Sequence, residues 1–200
     1  MSIGFWGFFA LFSFSQEADV IFYRLRRKAM LRLRPYKSSD AEIIEKWIRD
    51  EDVFLKWGGK LFGEFPVSAQ TIDDKYRLNS GDCKEPDNFY PWVALDDSGR
   101  VVGHFIMRYL HGDTRILRFG WVIVDDTVRG KGYGYEMLRL GLKYAFEIFS
   151  VDKVTLGVYE NNDRAHRCYQ KLGFKDLEVV EKEPFNVIEM EIENGYKQGI

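Results

Sequence analysis

Apolar positions recur along the chain with two periods, and each period predicts a different kind of element. After Gly134 they fall at every third or fourth position, at Leu138, Leu142, Ala145 and Phe149, which places them on one face of a helix. Elsewhere they alternate with polar positions or form short runs, as strands do. The predicted strands lie around Leu31 and Leu33, ending at Pro35, and over residues 90–95, 101–110, 116–124 and 153–159.

Helices are also predicted before the second strand. Ser39 and Glu42 have the spacing of a capping box, so a helix is expected to start there and to extend to about Asp50. The segment 52–65 mixes aromatic and turn residues and is expected to be irregular. A further helix is predicted from Ser68 to about Leu78.

The order of these elements predicts the fold. Three strands joined by short turns form an antiparallel meander, and a crossover helix then leads to Lys153–Tyr159, which must be parallel to the strand before the helix. We therefore expect a single α/β domain with a mixed sheet over residues 30–193. Residues 194–200 are assigned as a tail.

Residues 1–29 do not share this pattern. The aromatic run Ile3–Phe14 is about 12 residues long, whereas a membrane-spanning helix needs roughly 20. Its basic residues follow the apolar run instead of preceding it, unlike those of a secretory signal. We interpret the segment as a loosely held tail or as sequence upstream of a natural start at Met30. A packed extra segment or a membrane- or partner-contacting tail is the less favoured alternative.

Composition excludes several classes of protein. The chain has 29 Lys and Arg against 31 Asp and Glu, so no extended nucleic-acid surface is indicated. Cys83 and Cys168 are too few for a disulfide framework, and a reducing, cytoplasmic compartment fits them. His104, His111 and His166 lie in separate elements, so no metal site is predicted.

A glycine-rich stretch follows the third strand of the meander. Residues 129–135 read RGKGYGY and open directly into the predicted helix. Such a turn gathers backbone N–H groups at the positive end of the helix dipole, which favours a phosphate group. The stretch lacks the Lys-Ser/Thr pair of a mononucleotide loop and the glycine spacing of a dinucleotide fingerprint. A glycine-rich turn without any ligand is the alternative.

A second informative stretch is Tyr159–Phe174. Asn162 is placed to cap a helix, and Gly173 supplies the left-handed residue that ends it. As structure alone this is an ordinary capped helix, and Tyr169 would be a core aromatic on its apolar face.

Together, the two stretches resemble the GNAT N-acetyltransferase superfamily, over roughly residues 30–193. The resemblance implies direct transfer of an acetyl group from acetyl-CoA to a primary amine of a small molecule or a protein N-terminus. A non-catalytic acyl-CoA-binding regulatory module is the alternative. The first family pattern, Arg/Gln-x-x-Gly-x-Gly/Ala, is filled by Arg129, Gly132 and Gly134, and the second by Asn162, Ala165, Tyr169, Lys171, Gly173 and Phe174.

The resemblance also implies roles for individual residues. The strands on either side of the helix are expected to splay, with the pantetheine arm of the donor between them and an N–H near Ile123 stabilising the oxyanion. Tyr169 is expected to protonate the departing thiolate, since an ordinary phenol is protonated at neutral pH. Backbone groups of Val122 and Val124 are expected to pair with pantetheine. Asn162 is expected to orient pantetheine, cap its helix, or both. The diphosphate is expected to be held by Arg129, Gly130, Lys131, Gly132, Tyr133, Gly134 and Tyr135.

The general base and the acceptor stay open. Two subgroups of the family carry a Glu that serves as general base, but this chain has Gly157 and Arg118 at those positions. The candidates for the base are therefore His104, Asp52 or a water chain. Cys168 is expected to be core, because no paired His is evident. A homodimer is an open expectation. Acidic and aromatic residues of the expected acceptor wall would suit a cationic amine: Asp50, Glu51, Asp52, Trp57, Tyr90 and Trp92.

Overall fold

The computed structural model describes residues 30–81 and 89–195, with side chains up to residue 79 in the first range. The elements below all belong to the unit Leu31–Ile200. Our expectations for residues 1–29, for Cys83 and for most of the C-terminal tail lie outside the described residues. The domain boundaries themselves stay predictions.

A seven-stranded mixed sheet forms the framework, in the order β1-β2-β3-β4-β5-β7-β6. Neighbouring strands are antiparallel except β4 and β5, which are parallel, as the sequence predicts. The last two strands were not predicted. The strands are β1 (Arg32–Pro35), β2 (Phe89–Leu95), β3 (Val101–Leu110), β4 (Asp113–Val124), β5 (Lys153–Tyr159), β6 (Lys175–Val180) and β7 (Val187–Glu193).

Five α-helices accompany the sheet in the described ranges. The helices are α1 (Ala41–Trp47), α2 (Glu51–Trp57), α3 (Ala69–Gly81), α4 (Tyr133–Lys143) and α5 (Asp163–Leu172). A π-helical turn, Tyr144–Ile148, extends α4. Short 3₁₀ segments occupy Ser38–Asp40, Gly59–Phe62 and Asp126–Val128.

The start of α1 corrects a sequence prediction. Asp40, rather than Ser39 with Glu42, organises this turn: its carboxylate accepts a hydrogen bond from the Lys37 amide at 2.8 Å. Both carboxylate oxygens also pair with the Arg34 guanidinium at 2.7 Å. The capping-box prediction was wrong. The long Arg34 side chain reaches the turn from β1 and holds Asp40 in place, and local spacing does not reveal this contact.

The segment predicted to be irregular contains α2. Asp50 caps this helix by accepting from the Val53 amide at 2.8 Å. Phe54 and Trp57 are buried on its inner face. The Asp50 cap ends the preceding helix earlier than expected, at Trp47, because a residue that starts one helix cannot continue another.

The two faces of the sheet carry separate hydrophobic cores. Helices α4 and α5 cover one face, and the predicted stripe of Leu138, Leu142 and Ala145 is buried there. Helices α1 to α3 cover the other, where Ile44 and Tyr76 are among the buried residues. We call these the α4–α5 face and the α1–α3 face.

Strands β4 and β5 separate along their length. They pair only from Ile116 opposite Lys153 to Arg118 opposite Thr155. Beyond that point the remaining half of β4, as far as Val124, has no β5 partner. The predicted splay is therefore present in the structure.

Candidate active site

A cavity of about 830 Å³ lies where β4 and β5 diverge. Its walls include the halves of both strands that do not pair with each other, the glycine-rich loop, α2 and α5, with further side chains from α3, β3 and β7. The cavity thus brings together the two sequence stretches that carry the family resemblance. The predicted site residues that line it are Val122, Ile123, Val124, Arg129, Gly130, Gly132, Tyr133, Gly134, Tyr135, Asn162 and Tyr169.

The glycine-rich loop ends in an uncapped helix start. Gly132, the N-cap of α4, has a φ of 84°, and no side chain caps the first turn. Gly130 has a φ of 83°. A Cβ at either glycine would meet no atom within 4 Å, so glycine is required here by backbone conformation and not by crowding. The open space in front of these amides belongs to the cavity.

The two basic side chains of the loop point in different directions. Arg129 lines the cavity, and its Nε donates to the Val124 carbonyl oxygen at 3.2 Å. Lys131 is exposed and donates from Nζ to the Thr127 carbonyl oxygen at 3.1 Å. Lys131 is not among the residues that line the cavity. Both side chains were expected to hold the diphosphate, and only Arg129 lies at the cavity.

A β-bulge interrupts β4 at the cavity. The pairing with β3 shifts between His104 and Ile106, and opposite this shift Trp121 has a φ of 47°. The Trp57 indole N–H donates to the Trp121 carbonyl oxygen at 2.8 Å. The ring of Trp121 stacks on Tyr76 with 5.5 Å between centroids. A positive φ in a bulky residue is costly, and these contacts hold it in place.

The bulge determines which amides face the gap. Beyond it the Asp125 amide donates to the Val102 carbonyl oxygen at 3.0 Å, so that amide faces β3. Backbone direction alternates along a strand. The amide of Ile123 therefore also faces β3, whereas those of Val122 and Val124 face β5 and the gap. An oxyanion donor near Ile123, as the sequence predicts, would therefore be an amide next to it.

Two polar residues of α5 reach the cavity. Asn162 caps the helix, its Oδ1 accepting from the Ala165 amide at 3.3 Å. Tyr169 is buried in the α4–α5 core, and it also lines the cavity. Burial, with a smaller contribution from Cys168, raises the pKa of Tyr169 above its ordinary value. Its phenol therefore holds its proton at neutral pH.

Cys168 is half-buried against the same core and lines the cavity. Burial raises the pKa of its thiol, which disfavours the thiolate that a nucleophile needs. This environment agrees with the expectation that Cys168 packs and does not react.

The two candidate bases have different surroundings. His104 is fully buried on the α1–α3 face, with its Nε2 2.7 Å from the Tyr76 hydroxyl, and burial lowers its pKa to about 3. It does not line the cavity, which argues against a direct role as base. Asp52 does line the cavity, and it forms an ion pair with Lys56 at 2.8 Å.

An ion pair that the sequence did not reveal lies where the strands begin to separate. The Arg118 guanidinium binds both oxygens of Glu189, at 2.6 and 2.9 Å. Gly157 faces this pair: a Cβ there would lie 2.7 Å from Arg118 Nη2 and 3.2 Å from Glu189 Oε1. The one available signal was a glycine inside an otherwise apolar strand, which often marks a close approach by other groups.

The expected acceptor wall is only partly present. Asp52 and Trp57 line the cavity, whereas Asp50 caps α2 and Glu51 is exposed outside the lining. The two remaining aromatic members lie on the α4–α5 face and do not line the cavity. Tyr90 packs edge-on against Phe149, with 4.8 Å between ring centroids, and Trp92 packs on Tyr144 at 5.1 Å. That part of the expectation was wrong, because alternation along β2 fixes two faces without saying which one meets the ligand.

Two features are absent from the described residues. No group of three His, Cys, Asp or Glu within them has a metal-binding arrangement. No helix there is long and apolar enough to cross a membrane.

Comparison with known proteins identifies the family. The model of the acetyltransferase (GNAT) domain matches residues 30–175. The chain belongs to this family.

Individual GNAT relatives agree with this assignment. The chain is 30% identical over 129 residues to mycothiol acetyltransferase of Salinispora tropica, covering 62% of this chain and 41% of the relative. It is 35% identical over 103 residues to spermine/spermidine N(1)-acetyltransferase of Bacillus subtilis, covering 47% and 64%. The matched stretches thus span less than two thirds of these relatives.

Solved structures share the GNAT fold. Spermidine N-acetyltransferase from Vibrio cholerae, in complex with CoA and spermine, superposes with a TM-score of 0.67. The superposition covers 82% of this chain and 95% of that chain at 21% identity. At this identity the likeness establishes the fold.

Proposed function

We propose that this protein is an acetyl-CoA-dependent N-acetyltransferase that moves an acetyl group directly to a primary amine of a small molecule or a protein N-terminus. One observation carries the proposal: the gap between β4 and β5 runs into the uncapped start of α4. A strand-like arm ending in a diphosphate would complete both the open strand edge and the open helix start. The pantetheine and diphosphate of CoA have this order, and the named GNAT relatives support the choice.

The donor is held mainly by backbone groups in this proposal. The amides of Gly130 and of residues 132–135 bind the diphosphate, with Arg129 supplying charge at the rim. The Lys131 amide already donates to the Val128 carbonyl oxygen at 3.3 Å. Backbone groups of Val122 and Val124 pair with the pantetheine amides, as in an added strand. Asn162 caps α5 and orients the pantetheine arm.

Transfer then takes place at the thioester. The amine nitrogen attacks the acyl carbon, and a gap-facing amide of β4 stabilises the resulting oxyanion. The carbon–sulfur bond breaks, and the Tyr169 phenol gives its proton to the leaving thiolate. The proton lost by the amine passes to water or to a carboxylate of the cavity, and no acyl group is attached to the enzyme.

A non-catalytic acyl-CoA-binding module is a second candidate. One observation favours it: both acidic side chains in the cavity lining are already in ion pairs, Asp52 with Lys56 and Glu189 with Arg118. A carboxylate that already binds a basic side chain has fewer lone-pair positions left for the proton of an acceptor amine. Such a module would keep the donor site without turnover.

Two measurements separate these functions. Coenzyme A is titrated into the full chain while the amide resonances of 129–135 are followed, and release of free thiol is then measured with acetyl-CoA and a panel of amines. Loop shifts together with thiol release support the enzyme. Loop shifts without release across all amines and peptide N-termini support the binding module. If the loop resonances do not move at millimolar coenzyme A, both candidates are rejected.

Other expectations from the sequence stay predictions. These are a cytoplasmic location, a homodimer, chemistry without a metal, and the absence of a nucleic-acid partner. The named relatives differ in their acceptors, so their names support acetyl transfer to an amine without fixing which amine.

A further inference from the structure

The charges in the wall of the cavity are distributed unevenly beyond the donor loop. The acidic side chains of the lining are Asp52 and Glu189, and each is neutralised by its own basic partner. Lys75, Arg108 and Lys182 also line the cavity. Within the described residues none of these three has a carboxylate partner. Among the described residues, this part of the cavity lining therefore carries more basic than acidic side chains that lack an ion-pair partner.

Arg108 is the best placed of these three side chains. It lies directly opposite Arg118 in the β3–β4 register, so both side chains occupy the same face of the sheet. Like charges in directly opposite positions repel. Glu189 compensates the Arg118 charge through two hydrogen bonds, whereas no carboxylate of the described residues pairs with the Arg108 guanidinium and its five donors. Arg108 is exposed by its accessible surface, and desolvation of its inner side, followed by the Arg118 charge, lowers its pKa.

The donor diphosphate is too far away to compensate Arg108. The donor loop follows Val124, whereas Arg118 stands six residues earlier on β4, about 20 Å away along an extended strand. Arg108 is level with Arg118. An anion at this position must therefore come from the other substrate.

We propose that the amine acceptor carries a negatively charged group, a carboxylate or a phosphate, that pairs with Arg108. Glu189 receives the ammonium of the same acceptor. A carboxylate has about four lone-pair positions, and Arg118 occupies two of those on Glu189. Arg118 is then a positioning residue that orients Glu189. A polyamine would instead bring its additional ammonium groups towards Arg108, where they are repelled.

The inference rests on the proposed acetyl transfer, and matched amines test the two separately. O-phosphoethanolamine is compared with ethanolamine, and 4-aminobutyrate with n-butylamine, with spermidine as the cationic reference. Rates of thiol release are corrected for the fraction of unprotonated amine. We expect kcat/KM for the anionic member of at least one pair to exceed that of its neutral counterpart tenfold or more, with the preference shrinking as salt is raised.

Variants of Arg108 locate the preference. Arg108→Ala and Arg108→Gln are each expected to raise KM for the preferred anionic amine tenfold or more, while the neutral counterpart changes less than twofold. Arg108→Gln keeps most of the side-chain length, so it separates loss of charge from loss of packing. Arg77→Ala is the matched control, because Arg77 is exposed on α3 and does not line the cavity.

Each outcome has one meaning. Turnover confined to neutral or cationic amines, or an anionic preference that survives in both Arg108 variants, overturns this inference and leaves acetyl transfer intact. Absence of turnover with every amine, despite loop shifts with coenzyme A, overturns the proposed enzyme and this inference with it. An anionic preference that both Arg108 variants abolish and Arg77→Ala preserves supports both.

Discussion

The two faces of the sheet differ in how their polar groups are satisfied. On the α1–α3 face, two pairs of polar groups bind within the protein: Tyr76 with His104 at 2.7 Å, and the Trp57 indole with the Trp121 carbonyl oxygen at 2.8 Å. On the α4–α5 face, α4 begins at Gly132 without a side-chain cap and faces a cavity. Residues 130–132 at this helix start are exposed. Their amides are therefore open to an anionic ligand at the positive end of the helix dipole.

This contrast gives an expectation about mutations. Changes on the α4–α5 side of the cavity should alter donor binding or rate more than stability. Changes on the α1–α3 face outside the cavity lining should alter stability alone. Four measurements test the division.

The largest effect is expected from Tyr169→Phe. Loss of a general acid lowers kcat by on the order of 100-fold, while coenzyme A affinity stays nearly unchanged because the ring is kept. Steady-state thiol release and isothermal titration measure the two quantities. Tyr144→Phe is the control, since Tyr144 packs on the same face outside the cavity lining. An unaltered kcat in Tyr169→Phe would leave Tyr169 as a core aromatic.

Gly132→Ala tests the donor loop. The new methyl group stands in front of the α4 amides, and weakened contacts to the diphosphate should raise the coenzyme A dissociation constant by on the order of 30-fold. Gly99→Ala is a matched control, because Gly99 has the same φ of 84° and equally open surroundings in the β2–β3 turn. Both variants should lose about 1–2 kcal/mol of stability through the left-handed conformation. Equal coenzyme A affinity in the two variants would remove the loop from the donor site.

The His104–Tyr76 pair predicts a pH effect on stability alone. The folded-state pKa of His104, about 3, lies below the unfolded value near 6.5. Below pH 6.5 the unfolded chain therefore binds the proton more readily, and stability falls as the pH drops towards 3. At pH 5 the loss is about 2 kcal/mol.

Urea unfolding at pH 7 and pH 5 measures this loss. His104→Asn should flatten the pH dependence, whereas His111→Asn, at an exposed position with a φ of 51° that Asn tolerates, should not. The same slope in both variants would mean that other groups cause it. Coenzyme A affinity of the folded His104→Asn protein should equal that of the wild type, as expected for the α1–α3 face.

The smallest effect compares two helix caps. Asn162→Ala and Asp50→Ala each remove a side-chain acceptor from a first-turn amide, so each should cost about 1 kcal/mol in unfolding free energy. Only Asn162 lines the cavity, so a severalfold loss of coenzyme A affinity is expected for that variant alone. If the two variants bind coenzyme A equally well, Asn162 is a structural cap and nothing more.

The sequence by itself determined the features that depend on local interactions. The turn over 129–134 and the Asn162 cap depend on residues a few positions apart, and the buried stripe of α4 depends on helical spacing. The parallel pairing of β4 and β5 followed from the helix between them. Each of these features could be predicted, because each requires only the geometry of one short segment.

Contacts between distant segments were decided by the tertiary structure. Arg118 and Glu189 are 71 residues apart in sequence, and no local pattern joins them. The face on which Tyr90 and Trp92 lie, and the direction of the Ile123 amide after the bulge, depend on neighbouring strands. Alternation in a strand defines two sides, but only the packing of helices and strands against each side determines which one borders the cavity, and with it the charge that the acceptor meets.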